Sequence, residues 1–219
     1  MEGTRSVTRA LTIVDAIVST DGGCSLSDAA RLVELAPSTT LRLLRTLETQ
    51  GYVLKGEDGR YIAGPTLLRV GASALRRHPF LHVTRPHLER LAADTGETAS
   101  LGVRESRDRA VYLQSVPSPH AVRHVGWAGR ALPLRGTALG SALRAALDDG
   151  GYAASRDGPE PDVTAIAAPV QAADGTIIAA VCVTGPTFRI GDDDVVTFGR
   201  LVVEAASALS LELETVDTR

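Results

Sequence analysis

The segment from Ser38 to Gly64, STTLRLLRTLETQGYVLKGEDGRYIAG, changes its hydrophobic period halfway along. Its first half repeats leucine at three-residue intervals from Leu41, which is the spacing of one buried helix face. Its second half alternates around Asp58-Gly59, a dipeptide typical of a tight turn between antiparallel strands. The segment therefore predicts a helix that begins at about Ser38 and ends before Gly51, followed at once by a hairpin.

Two further helical patterns precede this segment. Apolar residues recur at helical spacing from Ser6 to Val18, with Ser6 as the expected N-cap. A second, shorter helix is predicted in SLSDAARLVEL, where Ser25 or Ser27 would be the N-cap. Pro37 disfavours helical geometry at the residue before it, so a turn separates the second helix from the third. This order of elements predicts a winged helix-turn-helix, in which the third helix can enter the major groove of DNA.

Polar side chains of this region are the candidates for contact with double-stranded operator DNA. Arg42 and Arg45 share a helix face away from the leucines, so they are expected to reach base edges and phosphates. Hydroxyl and backbone N–H groups at the helix start would bind a phosphate, and the hairpin cations would contact the backbone beside it. The candidates are Ser38, Thr39, Thr40, Arg42, Arg45, Lys55 and Arg60. The alternative interpretation is a solvated helix face preceded by an ordinary helix cap.

Charge and composition agree with DNA binding at one end of the chain. The net charge is −3, but residues 1–77 carry ten basic and eight acidic side chains, against thirteen and eighteen in the remainder. Cys24 and Cys182 lie in different halves and show no metal-ligand or redox spacing. No basic-then-apolar leader is present, and no apolar run approaches ~18 residues. We therefore expect a cytoplasmic protein with no membrane partner.

The remaining two-thirds of the chain predict an α+β domain. A helical pattern ends at Gly96, and further helices are expected at about 137–147 and 193–214. Between them lie short apolar stretches typical of an antiparallel sheet, with a hairpin turn at Asp174-Gly175. The predicted strands are TASLGV, AVYLQSV, AVRHVGW, TAIAAPV and TIIAAVCVTGP.

Stretches along nearly the whole chain resemble the IclR-type transcriptional regulators, in the order of that family. They are SVTRALTIVDAI, SLSDAARLVELAPSTTLRLLRTLETQGYV, GRYIAGPTLLRVGASAL, RPHLERLAADTGETASLGV, VYLQSV, GRALPLRGTALGSAL and IAAPVQAADGTIIAAVCVTGP. The resemblance implies a winged helix-turn-helix domain over 1–64, a linker helix over 65–78 and a GAF-like effector-binding and oligomerisation domain over 79–219. It implies a homodimer or a dimer of dimers that acts as a repressor rather than an activator, without a cofactor.

The same resemblance implies a pocket for a small, carboxylate-bearing effector. Its wall would be the LPL stretch, and a helix start at Thr137 would bind the carboxylate through free N–H groups. Cys182 and Thr184 lie two apart on one predicted strand, so both would face the pocket. The residues carried over are Leu132, Leu134, Thr137, Ala138, Leu139, Arg156, Cys182 and Thr184.

The chain departs from the family pattern at two places. Members that bind small keto or hydroxy acids carry an acidic residue and then a cysteine, where this chain has Ser155 or Arg156 and Ala165. A gain of Arg156 would favour a more anionic ligand. Only residues 148–150 separate the ALG helix from the GY strand, so the effector domain is shortened.

Two alternatives to an effector-sensing regulator stay open. One is a regulator that has lost ligand sensing and acts through protein contacts, which the shortened domain suggests. The other is an enzyme in which Cys182 pairs with a histidine, although no histidine has an orienting carboxylate at telling spacing. No catalytic residue is predicted. No metal site is predicted either, because Pro79 disturbs the helical register that would place His78 and His82 on one face. Trp127 is expected in core or dimer packing.

Overall fold

A computed structural model of the chain describes residues 4–125 and 128–216. The chain separates into two compact units, Met1–Arg77 and His78–Arg219, so the predicted linker helix groups with the first unit. Trp127, which was expected in core or dimer packing, lies outside the described residues. Within the described ranges, no helix is both long and apolar enough to span a bilayer.

Residues 4–77 of the first unit form four helices and one hairpin. Its elements are α1 (Arg5–Ser19), α2 (Leu26–Leu32), α3 (Pro37–Thr49), β1 (Val53–Lys55), β2 (Tyr61–Ala63) and α4 (Pro65–Arg77). β1 and β2 pair antiparallel, and Gly59 takes the positive φ of 79° that their connecting loop requires. The predicted succession of helix, helix, turn, helix and hairpin is therefore present.

Local capping explains where α2 begins. The Ser25 hydroxyl oxygen accepts the Asp28 backbone N–H at 3.1 Å, so Ser25 rather than Ser27 is the N-cap. The Ser25 hydroxyl also donates to the Asp28 carboxylate, and this hydrogen bond lowers the pKa of Asp28. The predicted N-cap of α1, Ser6, is wrong by two residues, since Thr4 is the N-cap and Ser6 lies inside the helix.

The core of the first unit fixes the rotation of α3 about its axis. Leu44 is fully buried against α1 and the hairpin, and Leu43 and Leu47 pack beside it. Leu41, predicted as a core residue, is only half-buried, because the fully buried Thr40 takes the inward position one turn before Leu44. Leu44 and Leu47 therefore pack as leucine spacing predicts, and only at the start of the helix does Thr40 replace Leu41 as the buried residue.

The second unit is an α+β domain, as predicted. Its elements are α5 (Pro79–Thr95), β3 (Thr98–Arg104), β4 (Arg109–Val116), β5 (Ala131–Pro133), α6 (Ala138–Ala142), β6 (Ala153–Arg156), β7 (Val163–Gln171), β8 (Ile177–Pro186) and α7 (Asp192–Val216). The six strands form one antiparallel sheet in the order β5-β4-β3-β8-β7-β6. A short 3₁₀ turn, Thr187–Arg189, links β8 to α7.

Both faces of this sheet are buried, and its strands alternate between two cores. On β8, Val181 and Val183 face the core formed with α5 and α7. Cys182 faces the opposite core, which α6 covers. Thr184, two residues further on, shares the face of Cys182, as the strand pattern predicts.

The expected strand at AVRHVGW is wrong for residues 121–125, which form a loop. Side chains rather than a neighbouring strand bind its backbone: the Thr98 hydroxyl donates to the His124 carbonyl at 2.9 Å, and the Arg189 guanidinium donates to the Val122 carbonyl at 3.0 Å. The helix expected at 137–147 also ends early, at Ala142.

Gly140 in α6 gives a test of how closely this helix packs. A Cβ atom at Gly140 would lie 1.9 Å from the Leu134 carbonyl oxygen, which is backbone and cannot move aside cheaply. We expect Gly140→Ala to destabilise the protein by about 1–3 kcal/mol despite the better helix propensity of alanine. Gly71→Ala is the control, because a Cβ at Gly71 in α4 meets nothing within 4 Å. Urea denaturation followed by circular dichroism measures both, and equal stability of Gly140→Ala and the parent would contradict the packing argument.

Candidate DNA interface and small-molecule cavity

The exposed face of α3 carries the two arginines predicted to contact DNA. Arg42 and Arg45 are both exposed and lie three residues apart, so they project from one side of the helix. Ser38 is exposed and Thr39 half-buried at the helix start. The N-cap residue is Ala36, and no side chain caps this end. The first turn of α3 therefore presents the Ser38 and Thr39 hydroxyls beside the arginines, whereas the Thr39 and Thr40 N–H groups donate to the Ala36 carbonyl at 3.0 and 3.1 Å.

Thr40, predicted as a phosphate contact, is a core residue instead. Its side chain is fully buried, and its hydroxyl donates to the Ala36 carbonyl at 3.3 Å. Because it lies one helical turn before the buried Leu44, it faces inward. Its hydroxyl is therefore withdrawn from the surface that Arg42 presents.

The hairpin cations, Lys55 and Arg60, have different surroundings. Arg60 is half-buried, and its guanidinium donates to the Gly22 and Gly23 carbonyls at 2.9 and 2.6 Å. Arg60 thus ties the hairpin to the turn after α1, which corrects its prediction as a simple backbone contact. Lys55 is exposed, with its Nζ 6.0 Å from the centre of the Tyr61 ring. Lys55 is therefore the hairpin cation with the better access to a phosphate.

The second unit encloses a small space that we call the inner cavity. It lies between the sheet, α6 and residues 158–160. Its volume, measured as the space open to the centre of a water molecule, is only about 20 Å³. The described arrangement therefore holds little more than a water molecule. The predicted effector residues that line it are Leu132, Thr137, Ala138, Leu139 and Thr184.

Three predicted effector residues do not line the inner cavity. Leu134 and Cys182 are buried in the core beneath it. Arg156 points away, and its Nη2 lies 2.7 Å from the Asp192 carboxylate at the start of α7. The reason is strand alternation along β6, which turns Ser155 toward the cavity and Arg156 to the other side.

The start of α6 is partly satisfied by the protein itself. The Ala138 N–H donates to the Ser155 hydroxyl at 3.2 Å, and the Gly140 N–H donates to the Thr137 hydroxyl at 3.0 Å. The helix has only five residues, so its dipole is weak. The Ala138 N–H, which was expected to be free to bind a carboxylate, therefore already has a partner within the protein.

Three buried side chains form a polar row on the sheet side of the cavity. The Tyr112 hydroxyl donates to Cys182 Sγ at 3.6 Å, and this sulfur lies 3.5 Å from Thr184 Oγ1. Burial raises the pKa of Tyr112 well above its usual value and also raises the pKa of Cys182. Both groups are therefore neutral near pH 7, which suits them to hydrogen bonding and not to nucleophilic chemistry.

A larger, more open space, which we call the outer cavity, adjoins the inner one. Its volume on the same measure is about 460 Å³. Its lining includes Arg123, His124, Arg130, Glu160 and Asp162. Glu160 also lines the inner cavity, so its side chain lies between the two spaces. Its carboxylate is 3.1 Å from Arg130 Nη1 and 3.4 Å from His124 Nε2. Across residues 4–125 and 128–216, no His, Cys, Asp and Glu side chains group as a metal site.

Sequence reasoning missed the three polar side chains Tyr112, Ser155 and Glu160 of the cavity lining. Tyr112 lies in a predicted strand, and its alternation with Leu113 was the only sequence feature that could have indicated which face of the sheet it occupies. Ser155 was considered only as an alignment position. Glu160 gave no signal, because its partners Arg130 and His124 are 30 or more residues away.

Comparison with protein families decides the class of the molecule. The profile of the "IclR helix-turn-helix domain" matches residues 6–56. The profile of the "Bacterial transcriptional regulator IclR C-terminal" region matches residues 72–150 and 148–211. The chain belongs to the IclR family. Its members are DNA-binding transcriptional regulators, so the resemblance is confirmed and the enzyme alternative is excluded. The C-terminal match breaks at 148–150, where the sequence suggests a shortening.

Relatives of known class and structure extend over nearly the whole chain. The transcriptional repressor IclR of Escherichia coli is 27% identical and aligns with 94% of this chain and 89% of its own length. The crystal structure of an IclR transcriptional regulator from Alicyclobacillus acidocaldarius superposes with a TM-score of 0.82 at 25% identity, covering 96% of this chain and 99% of that one. An IclR homolog from Microbacterium hydrocarbonoxydans, complexed with 4-hydroxybenzoate, has a TM-score of 0.74 at 21% identity, covering 96% and 99%.

The buried His124 predicts a pH dependence of stability. Burial lowers its pKa below the usual 6.5, an effect that the nearby Glu160 carboxylate opposes only in part. Between these two pKa values the unfolded chain binds more protons than the folded one. The contribution of neutral His124 to the free energy of unfolding is therefore fully present above pH 6.5 and is lost as the pH falls through the pKa of the folded state. We expect the parent to lose stability relative to His124→Gln between pH 7.5 and 5, by at most ~1.4 kcal/mol per pH unit. Parallel urea-unfolding curves for both proteins with equal pH slopes would contradict this.

Proposed function

We propose that this protein is a cytoplasmic transcriptional repressor that binds operator DNA as a dimer through its first unit and a small-molecule effector through its second. The observation that carries the proposal is the exposed pair Arg42 and Arg45 on α3, set between a tight turn and a hairpin. The repressor function of the E. coli relative supports the direction of control. The proposal keeps the boundaries 1–64, 65–78 and 79–219 for the DNA-binding, linker and effector regions.

The proposed DNA interface is the exposed face of α3 together with the hairpin. A major groove about 12 Å wide admits one helix, and guanidinium groups can donate two parallel hydrogen bonds to guanine. We assign base contacts to Arg42 and base or phosphate contacts to Arg45. Ser38 and Thr39 would bind a phosphate at the helix start, and Lys55 would bind the backbone beside the groove. Thr40 and Arg60 would position these elements from within the unit.

Exposed apolar side chains in the first unit support dimerisation. On α1, Leu11 is 63% exposed, with Val7 and Val18 also exposed. No residue of α4 is buried, and its Leu68 is 66% exposed. Such surfaces typically mark contacts between proteins. Two units on a two-fold axis would read a pseudo-palindrome whose half-sites lie about one helical turn apart or a multiple of it.

The proposed effector site is built around the inner cavity. Leu132 and Leu139 supply apolar surface, and Tyr112 and Thr184 supply hydroxyl groups that can orient a ligand. The 4-hydroxybenzoate complex of the Microbacterium homolog makes a small aromatic carboxylate the first compound to test. The second candidate function is a regulator without ligand sensing, which the room of only about 20 Å³ in the inner cavity favours.

Substitutions on α3 and the hairpin separate base reading from phosphate binding. Arg42→Ala should lose about 1–3 kcal/mol of operator affinity and relax base preference. Lys55→Ala should weaken binding to all sequences alike and reduce the salt slope by about one. Fluorescence anisotropy with the operator found by footprinting upstream of the protein's own gene, and with random DNA, measures both. Arg90→Ala, an exposed arginine of α5, is the control. Parent-like binding of both DNAs by Arg42→Ala would show that the assignment is wrong.

Thr184 gives a test of the cavity as the effector site. Thr184→Val removes a hydroxyl at nearly constant volume, so it should weaken effector binding by about 0.5–1.5 kcal/mol. Thr164→Val is the matched control, because the Thr164 hydroxyl lies 3.0 Å from Thr187 Oγ1 and does not line the cavity. Calorimetric titration with 4-hydroxybenzoate and other small carboxylates measures the affinities. An effector that binds Thr184→Val and Thr137→Ala as tightly as the parent must occupy another site.

A further inference from the structure

The segment between β6 and β7 closes the inner cavity, and we call residues 157–162 the lid. Gly158, Pro159 and Glu160 of the lid line the cavity. Its two ends are tied together, since the Asp162 N–H donates to the Asp157 carboxylate at 2.8 Å. The Asp157 N–H donates to the Val163 carbonyl at 2.9 Å. The lid is therefore a compact loop, and the protection of these two amides depends on the loop staying in place.

One side chain of the lid holds it against the loop before β5. The Glu160 carboxylate contacts Arg130 at 3.1 Å through one oxygen and His124 at 3.4 Å through the other. The side chains of Glu160 and Arg130 remain 33% and 55% exposed, whereas that of His124 is almost fully buried. Water reaches the Glu160–Arg130 pair, so separating it costs much less than separating a buried pair.

Glu160 also lies between the small inner cavity and the larger outer cavity. The inner cavity has the apolar wall and the hydroxyl groups of a binding site, but its volume is only about 20 Å³. The outer cavity has about 460 Å³ and the guanidinium groups of Arg123 and Arg130 beside the buried imidazole of His124, with Asp162 as the remaining acidic group. Val163 lines both spaces. Movement of Glu160 away from Arg130 would join the two spaces and leave a basic surface at their junction.

We propose that Arg130 and His124 form the anion subsite of the effector site, and that Glu160 occupies this subsite as an internal carboxylate that a ligand carboxylate displaces. The inference rests on the proposed effector-binding function and names the group that recognises the charge. The ligand carboxylate replaces Glu160 at Arg130, the lid moves outward, and the apolar body of the ligand enters between Tyr112 and Leu132. A carboxylate on a small apolar or aromatic body is the chemistry that fits.

Two physical arguments favour this subsite over the start of α6. First, guanidinium–carboxylate hydrogen bonds are charge-assisted and can be bidentate, whereas two N–H groups of the five-residue α6 already have partners. Second, the exchange conserves the number of ion pairs at Arg130, because one carboxylate replaces another. The released Glu160 becomes hydrated, so burial of the ligand's apolar surface can drive the exchange.

The test uses the full-length protein and two variants with opposite expected effects on binding. Glu160→Gln and Arg130→Gln should both release the lid, so the amides of Asp157 and Asp162 should exchange with deuterium at least tenfold faster than in the parent. Glu160→Gln should bind 4-hydroxybenzoate or benzoate at least fivefold more tightly, because the competing carboxylate is gone. Arg130→Gln should bind them at least tenfold more weakly than Glu160→Gln does. Neutral 4-hydroxybenzamide should not distinguish the two variants.

Glu105→Gln is the matched control, because Glu105 pairs with Arg109 at 3.3 Å and lines neither cavity. It should match the parent in exchange and in binding. If the lid amides exchange as in the parent in both Glu160→Gln and Arg130→Gln, the Glu160–Arg130 pair does not hold the lid in place. Equal carboxylate affinity in the two variants, or no carboxylate binding by Glu160→Gln, would overturn the anion subsite. An equal carboxylate affinity in the parent and in both variants would overturn the anion subsite but leave the proposed effector binding standing. DNA binding by the same samples tests the regulatory function separately.

Discussion

The burial of one antiparallel sheet on both faces is the constraint on which the second unit depends. Long helices α5 and α7 cover one face, but the only helix on the other face, among residues 78–125 and 128–216, is α6, which is five residues long. A helix of that length cannot cover six strands, so part of the sheet around Thr184 must be covered by something else. The lid, residues 157–162, supplies that cover. The inner cavity is thus the space left where a short helix and a loop share the covering of one sheet face.

Predictions that depend on local periodicity agree with the structure. The fold class, the succession of helices and hairpin, and the shared face of Cys182 and Thr184 follow from spacings within one element. Each of these patterns is decided by neighbours within a few residues. Leucine spacing placed Leu44 and Leu47 in the core correctly, but it also predicted Leu41 there, whereas Thr40 is the residue buried at that end of the helix.

Side chains whose partners are distant in sequence could not be placed in this way. Arg60 was expected to face DNA, but it binds carbonyl groups 37 and 38 residues earlier. Arg156 was expected in the pocket, but it pairs with Asp192, 36 residues later. The importance of Glu160 likewise depends on Arg130, 30 residues before it. No spacing rule connects such residues, because the connection is made by the pairing of strands and the docking of loops.

The degree of burial decides which carboxylate–arginine pairs of the second unit can take part in ligand exchange. Glu97 is only 2% exposed and binds Arg189 through both carboxylate oxygens, with an Nη2–Oε2 distance of 2.8 Å. Opening that pair would strand a buried charge, so it can only hold the loop at Val122 in place. The pair between Glu160 and Arg130 is partly hydrated and stands at the junction of two cavities. The same two chemical groups therefore fix the structure where they are buried and can exchange partners where water reaches them.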